Sequence, residues 1–182
     1  MKKRPKERDN GKNEEENMKR ALVIGCPGSG KSTFSRELHK RTGLALYHLD
    51  MMYWKEDGAR VGRELFLQSL YDTLEKDEWI IDGNDQSTLP LRLDACDTVF
   101  FLDYPTSVCL DGIRERIGKR RDDIPWVEKE ESEELVALVE GFRSSARPEI
   151  IKLLSQARDK RVVIFTSREE ASAYLSGEEN LL

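Results

Sequence analysis

The chain has 182 residues, 38% hydrophobic and 36% charged, which fits one soluble domain with a sizeable core. Its formal net charge of −5 offers no global basic field of the kind that holds nucleic acid non-specifically, so nucleic acid is not expected as the main partner. No apolar run is long enough to span a bilayer, no charged-then-apolar leader opens the chain, and three cysteines without metal-like spacing suit a reducing compartment, so the expected location is cytoplasmic.

Residues 1–17, "MKKRPKERDNGKNEEEN", carry mixed charges and almost no apolar side chains, so they are expected to be a disordered tail. Residues 18–182 then read as a single domain. Apolar runs predict strands at 20–24, 44–49, 78–82, 98–103 and 161–166. Helical patterns fall at 31–41, 63–76, 107–121, 130–146, 148–158 and 169–175. Within 130–146, Leu135, Leu138, Val139 and Phe142 recur at i, i+3, i+4 and i+7, and Pro148 suits the first turn of the next helix. Such alternation implies a mostly parallel sheet covered on both faces, and ligands bind outside the carboxyl ends of such strands. At or just after those ends stand Gly25, Asp50, Asp82, Asp103 and Thr166.

The first strand runs into "IGCPGSGKST" (24–33), where Gly25, Gly30, Lys31 and Ser32 satisfy G-x-x-x-x-G-K-[ST]. The glycines let successive backbone N–H groups turn inward onto phosphate oxygens. Lys31 then reaches the β- and γ-phosphates of ATP, the Ser32 hydroxyl ligates Mg²⁺, and the next helix presents its positive end to the same anion. Gly28 adds freedom to the loop, Pro27 stiffens it, and Ser29 and Thr33 complete the nucleotide-binding set; Cys26 reads as a small residue that fits. A guanine-specific switch would show N-K-x-D and D-x-x-G elements, which are missing here, and a transporter-type ATPase needs far more chain. The favoured class is a small kinase.

Further parts of a kinase follow. "WIIDGN" (79–84) ends a strand on Asp82, which either holds Mg²⁺ through water or caps a turn. "YHLD" (47–50) brings Asp50 to orient an acceptor, or to take its proton if the acceptor is a hydroxyl; an ordinary turn aspartate is the competing reading. Arg116 and Arg120 share one helical face, as do Arg143 and Arg147. Between the two helices, "RRDDIPWVEKEES" (120–132) is charged and interrupted by Pro125, so a lid is expected over about 118–130. A lid that lowers arginines onto the nucleotide neutralises phosphoryl oxygens and excludes water. Solvated faces paired with nearby acids are the alternative, and Lys119 and Arg121 read that way.

With these residues in view the chain resembles the adenylate-kinase-like P-loop kinases, closest to the small bacterial group known as DNA topology modulation proteins. "GCPGSGKST", "YHLDMMYW", "WIIDGN", "LRLDACDTVFFLDYP", "RSSARPEI" and "VVIFTSREEASAYL" carry the resemblance. It implies an α/β three-layer sandwich around a five-stranded parallel sheet in the order 2-3-1-4-5, with an acceptor-side helical region and a short lid. It also implies a catalytic role for Lys31, Mg²⁺ at Ser32, an acidic role for Asp82, and Asp50 beside the acceptor. "ERIGKRR" resembles the lid-proximal arginine segment, which puts Arg116 and Arg120 over the ATP phosphates.

Departures from that pattern bear on the acceptor. After "DG" the chain reads Asn84, Asp85, Gln86, so the arginine that grips AMP in adenylate kinases is missing, with Arg92 a replacement from elsewhere. Without gaps the adenine-stacking lid arginine falls on Gly112, while Arg116 occupies an arginine position in either alignment. Tyr53 and Trp54 are candidates to stack on an acceptor base, or a packed aromatic pair, and Arg60 or Arg63 to bind an acceptor phosphate. The leading expectation is an ATP- and Mg²⁺-dependent phosphotransferase acting on a nucleotide or another small metabolite. The alternative is an ATP-binding regulatory protein of the DNA-topology type without small-molecule turnover.

Overall fold

β1 (Arg20–Gly25) is the central strand, and its sequence explains why: Ala21, Leu22, Val23 and Ile24 have no exposed surface, an unbroken apolar run that only a strand covered on both faces can bury. The computed structural model describes residues 18–177; the expected disordered tail lies outside the described residues. β1 is flanked by β3 (Trp79–Asp82) and β4 (Thr98–Leu102), with β2 (Leu46–His48) and β5 (Arg161–Phe165) at the edges. All four pairings are parallel and the order is 2-3-1-4-5, as expected.

Helices cover both faces. They are α1 (Lys31–Thr42), α2 (Leu49–Tyr53), α3 (Arg63–Leu74), α4 (Leu89–Ala95), α5 (Thr106–Glu115), α6 (Glu133–Gly141), α7 (Ala146–Gln156) and α8 (Arg168–Ser176). Phe34 of α1 and Tyr174 of α8 pack against Phe100 and Phe165 of the sheet, with ring centroids 5.1–5.5 Å apart for Phe34–Phe100, Phe34–Phe165, Phe100–Tyr174 and Phe165–Tyr174. No helix among the described residues is long and apolar enough to cross a membrane.

Several elements depart from expectation. The second strand stops at His48, and Leu49 turns into α2, so Asp50 sits in the first turn of a helix rather than at a strand end. α4 was not anticipated; Pro90 opens it, where a missing N–H costs nothing. The helix expected over 107–121 ends at Glu115, and Gly118 takes φ +74°, so the irregular segment begins early. The helix expected over 130–146 is shorter, as α6 (Glu133–Gly141), and the one expected over 148–158 starts two residues earlier, as α7. Pro148 does fall in the first turn of α7, but Leu138 is 58% exposed, so the apolar stripe is narrower than its period suggested. Gly25 and Asp82 end β1 and β3, and Asp103 and Thr166 directly follow β4 and β5, at one edge of the sheet.

Candidate active site

The loop between β1 and α1 curls with Gly25, Gly28 and Gly30 at φ +154°, +80° and +89°. Lys31 Nζ lies 3.0 Å from the carbonyl oxygens of both Gly25 and Cys26 and donates to each. Burial pulls this ammonium below its ordinary range, and the charges of Asp82 and Asp50 partly offset that. Ser29 Oγ is buried without a hydrogen-bond partner and lies against Gly25. An orphaned hydroxyl inside a ring of left-handed glycines fits an anion as ligand.

Asp82, at the end of β3, is 3% exposed. Its Oδ1 accepts a hydrogen bond from His48 Nδ1 at 2.7 Å, while Oδ2 is buried without a partner. His48 escaped notice in the sequence, although β2 and β3 pair it in register with Asp82. Burial lowers the imidazole's affinity for a proton, but the hydrogen bond and charge of Asp82 raise it further, so its pKa ends above the ordinary value. The orphaned Asp82 Oδ2 and the Ser32 hydroxyl are hard oxygen donors of the kind Mg²⁺ takes directly or through water, so the residues present fit that ion. Asp50 is reached by water at the mouth of the site. Crowding by protein pushes its carboxyl up, Lys31 pulls it down, and Asp82 and Asp123 push it up again, for a net rise.

The segment between α5 and α6, expected as a lid, packs back onto the loop. Ser32 Oγ donates to Asp123 Oδ2 at 2.6 Å. Arg121 clasps the same carboxylate, through Nε to Oδ1 at 3.0 Å and through Nη2 to Oδ2. Arg121 Nη1 also reaches Glu128 Oε2 at 2.9 Å, and Arg116 Nη2 donates to Glu128 Oε1 at 2.8 Å. The Gly118 N–H closes the base of the lid on the Glu128 carbonyl at 2.7 Å. Of the two lid arginines singled out from sequence, Arg116 joins this network and Arg120 is exposed. Arg121, read as a solvated charge, is instead at its centre. Asp123, Arg121 and Glu128 were missed because "RRDD" in a charged stretch reads as solvent-facing until Asp123 is seen to meet Ser32.

Arg147 pairs bidentately with Asp103, Nε to Oδ1 and Nη2 to Oδ2 both at 2.7 Å. Arg143 lies 3.8 Å from the same carboxylate with its side chain 47% exposed. The structure therefore brings this pair together on the acid after β4. Arg92 does not face an acceptor: it has no exposed surface, and it donates to Gly83 O at 3.1 Å, Asp85 O at 2.7 Å and Thr88 Oγ1 at 3.2 Å. Burial pulls its pKa down to about 10. Tyr53 and Trp54 pack edge to face, with Arg60 over both rings at 5.7 and 5.5 Å, and Trp54 meets Trp126 of the lid edge-on at 5.5 Å.

No family model and no curated relative matches the chain. Solved structures of similar fold include the shikimate kinase from Acinetobacter baumannii in complex with shikimate, with a TM-score of 0.61 and 17% identity over 94% of this chain and 96% of that one. Another is the shikimate kinase from Bacteroides thetaiotaomicron, with a TM-score of 0.57 and 17% identity over 90% of this chain and 98% of that one. These likenesses show the fold, an α/β P-loop fold. They lend no support to the resemblance to the DNA topology modulation group.

Proposed function

We propose that the chain is an ATP- and Mg²⁺-dependent phosphotransferase that moves the γ-phosphoryl group onto a hydroxyl of a small metabolite. The observation that carries this reading is the phosphate-shaped glycine loop around Lys31, together with the exposed carboxylate of Asp50 in the first turn of α2. A phosphate acceptor needs arginines on its own side; Arg92 is buried with its donors committed, Arg60 lies over the Tyr53 and Trp54 rings, and Arg63 is 3.5 Å from the Asp85 carboxylate. A hydroxyl acceptor needs a base, and a carboxylate with a raised pKa is better matched to that task than an ordinary one.

In this mechanism the loop N–H groups and Lys31 hold the phosphates. Ser32 and Asp82 would hold Mg²⁺, which would supply charge neutralisation on the phosphates. Asp50 orients the acceptor hydroxyl and takes its proton as the oxygen bonds to phosphorus and the bond to the ADP oxygen breaks. Arg116, Arg120 and Arg143 are the candidates to balance charge from the lid side, and Arg147 holds its place through Asp103. One neighbour of the same fold is a shikimate kinase in complex with shikimate, which puts shikimate in the first panel of acceptors.

The test is ATP consumption with Mg²⁺ against shikimate, other hydroxylated metabolites, nucleosides and nucleoside monophosphates, with Lys31→Ala as control. Turnover on a hydroxyl acceptor, lost in the variant, supports the reading. Turnover on a monophosphate alone moves the acceptor class, and tight ATP binding without turnover on any of them favours a regulatory protein.

A further inference from the structure

We infer that Asp123 of the lid is the positioning residue that makes Ser32 a magnesium ligand, so that the cation site is complete only when the lid is closed. This rests on the phosphotransferase reading above and adds to it a residue on a different element. A serine hydroxyl has one proton to donate and lone pairs to accept with. In this protein the proton is committed: Ser32 Oγ donates to Asp123 Oδ2 at 2.6 Å. With its proton turned to the lid, Ser32 offers only lone pairs to anything else it meets. It can no longer donate to a phosphate oxygen, but it is well prepared to face a cation.

Asp123 is suited to that task. The residue is 3% exposed and its carboxylate is clasped by Arg121, which is held in turn by Glu128, itself shared with Arg116. The chain of contacts fixes a carboxylate that belongs to the lid directly on the loop that holds phosphates. Asp82, the acid expected from sequence beside Ser32, makes its hydrogen bond to His48 instead, and its buried Oδ2 has no hydrogen-bond partner. That orphaned oxygen is an independent sign that a ligand belongs beside it. Ser32, oriented by Asp123, and Asp82 would therefore hold the cation together.

The experiment is ATP titration calorimetry on the full chain, with Mg²⁺ and in EDTA, for wild type, Asp123→Ala, Ser32→Ala, the double variant and Lys31→Ala. The readout is the ratio of the two ATP dissociation constants, the gain that Mg²⁺ confers. Removing a residue that orients a metal ligand costs metal affinity about 10–100-fold, so that gain is expected to fall by about tenfold in Asp123→Ala while binding in EDTA stays within about twofold. The double variant is expected to match Ser32→Ala, because Asp123 acts through that hydroxyl. Asp123→Glu is expected to recover part of the gain, which guards against a merely misfolded alanine variant. Equal weakening with and without Mg²⁺, an unchanged gain, or additive losses in the double variant overturns the inference while leaving the phosphotransferase reading standing. Wild type with no Mg²⁺-dependent ATP binding, or Lys31→Ala binding as well as wild type, overturns both.

Discussion

Gly28 of the phosphate loop lies against Cys109 of α5 so closely that a Cβ added to it would stand 2.0 Å from the Cys109 carbonyl oxygen. The approach is reciprocal, because a Cβ on Gly112 would stand 2.0 Å from the Gly28 carbonyl oxygen. The loop is thus braced by the backbone of a helix, and two glycines on separate elements make that fit. Gly28 also sits at φ +80°, where side chains are strained. Gly28→Ala is expected to destabilise the fold by roughly 2–4 kcal/mol, strain and overpacking together, and to abolish tight ATP binding. Gly30→Ala, at φ +89° with nothing within 4 Å, carries the strain alone and is expected to cost roughly 1 kcal/mol. Urea melts and ATP titrations of the two variants check the order; equal losses would show that the α5 contact does not brace the loop.

Arg92 explains how the stretch after β3 keeps its shape. Its guanidinium joins Gly83, Asp85 and Thr88 from inside the protein, and Asp85 in turn accepts from Ser87 and Thr88. Replacement by methionine keeps the volume but leaves two carbonyls without their donor. Buried unsatisfied acceptors cost about 1–3 kcal/mol each, so Arg92→Met is expected to lose roughly 3 kcal/mol in denaturant unfolding. Lysine, with a single nitrogen, is expected to recover only part. Normal stability in Arg92→Met would sink the structural role and reopen an acceptor-side one.

The strand–helix alternation and the phosphate loop were legible in the sequence because each rests on local signals: apolar runs between helical periods, and glycines at fixed spacing before Lys31; the order of the strands was implied only by the family resemblance. The acceptor and lid sides were not. His48 meets Asp82 across two strands that are 34 residues apart in sequence, and Ser32 meets Asp123 across 91, so neither contact leaves a spacing pattern to read. Charge was misleading for a physical reason. Arg121, Asp123 and Glu128 form a mutually satisfied network inside the lid, while Arg120 beside them faces water, and one-dimensional charge does not distinguish the two. α4 was hidden by its own composition, since "LPLRLDA" with a proline and an arginine does not resemble a buried helix until Arg92 finds its carbonyls.

The raised pKa of Asp50 makes a prediction for rate. A carboxylate is the working base only when ionised, so activity falls as pH falls through its pKa, and here that pKa lies above the ordinary carboxylate value. The acidic limb of kcat/KM on a hydroxyl acceptor is therefore expected to be displaced upward from about 4. Asp50→Asn is expected to remove that limb and lower kcat by about 10²–10⁴. An Asn variant with nearly full rate would remove the base from the mechanism, and a lost rate with the limb intact would assign the titration to another group.

Trp126 carries the contact of the α5–α6 segment to the turn between Trp54 and Arg60. It meets Trp54 edge-on at 5.5 Å, and Trp54 is bridged to Arg60 both by backbone pairing and by the guanidinium over its ring. Aromatic pairs of this geometry contribute about 0.5–1.5 kcal/mol beyond their buried area, which is enough to bias a lid between open and closed by roughly 2–12-fold. Trp126→Ala is expected to raise the KM for ATP and for the acceptor together, by about that factor, with little change in stability because the lid lies outside the core. The same residues supply the signal to follow it. Trp79 is fully buried in β3 and stays constant, so a change in tryptophan emission on adding ATP reports on Trp54 and Trp126. That change is expected to vanish in a Trp54→Phe, Trp126→Phe double variant and to saturate at the same ATP concentration as binding does. Emission that responds to ATP in the double variant as it does in wild type would mean that Trp126 and Trp54 do not move against each other.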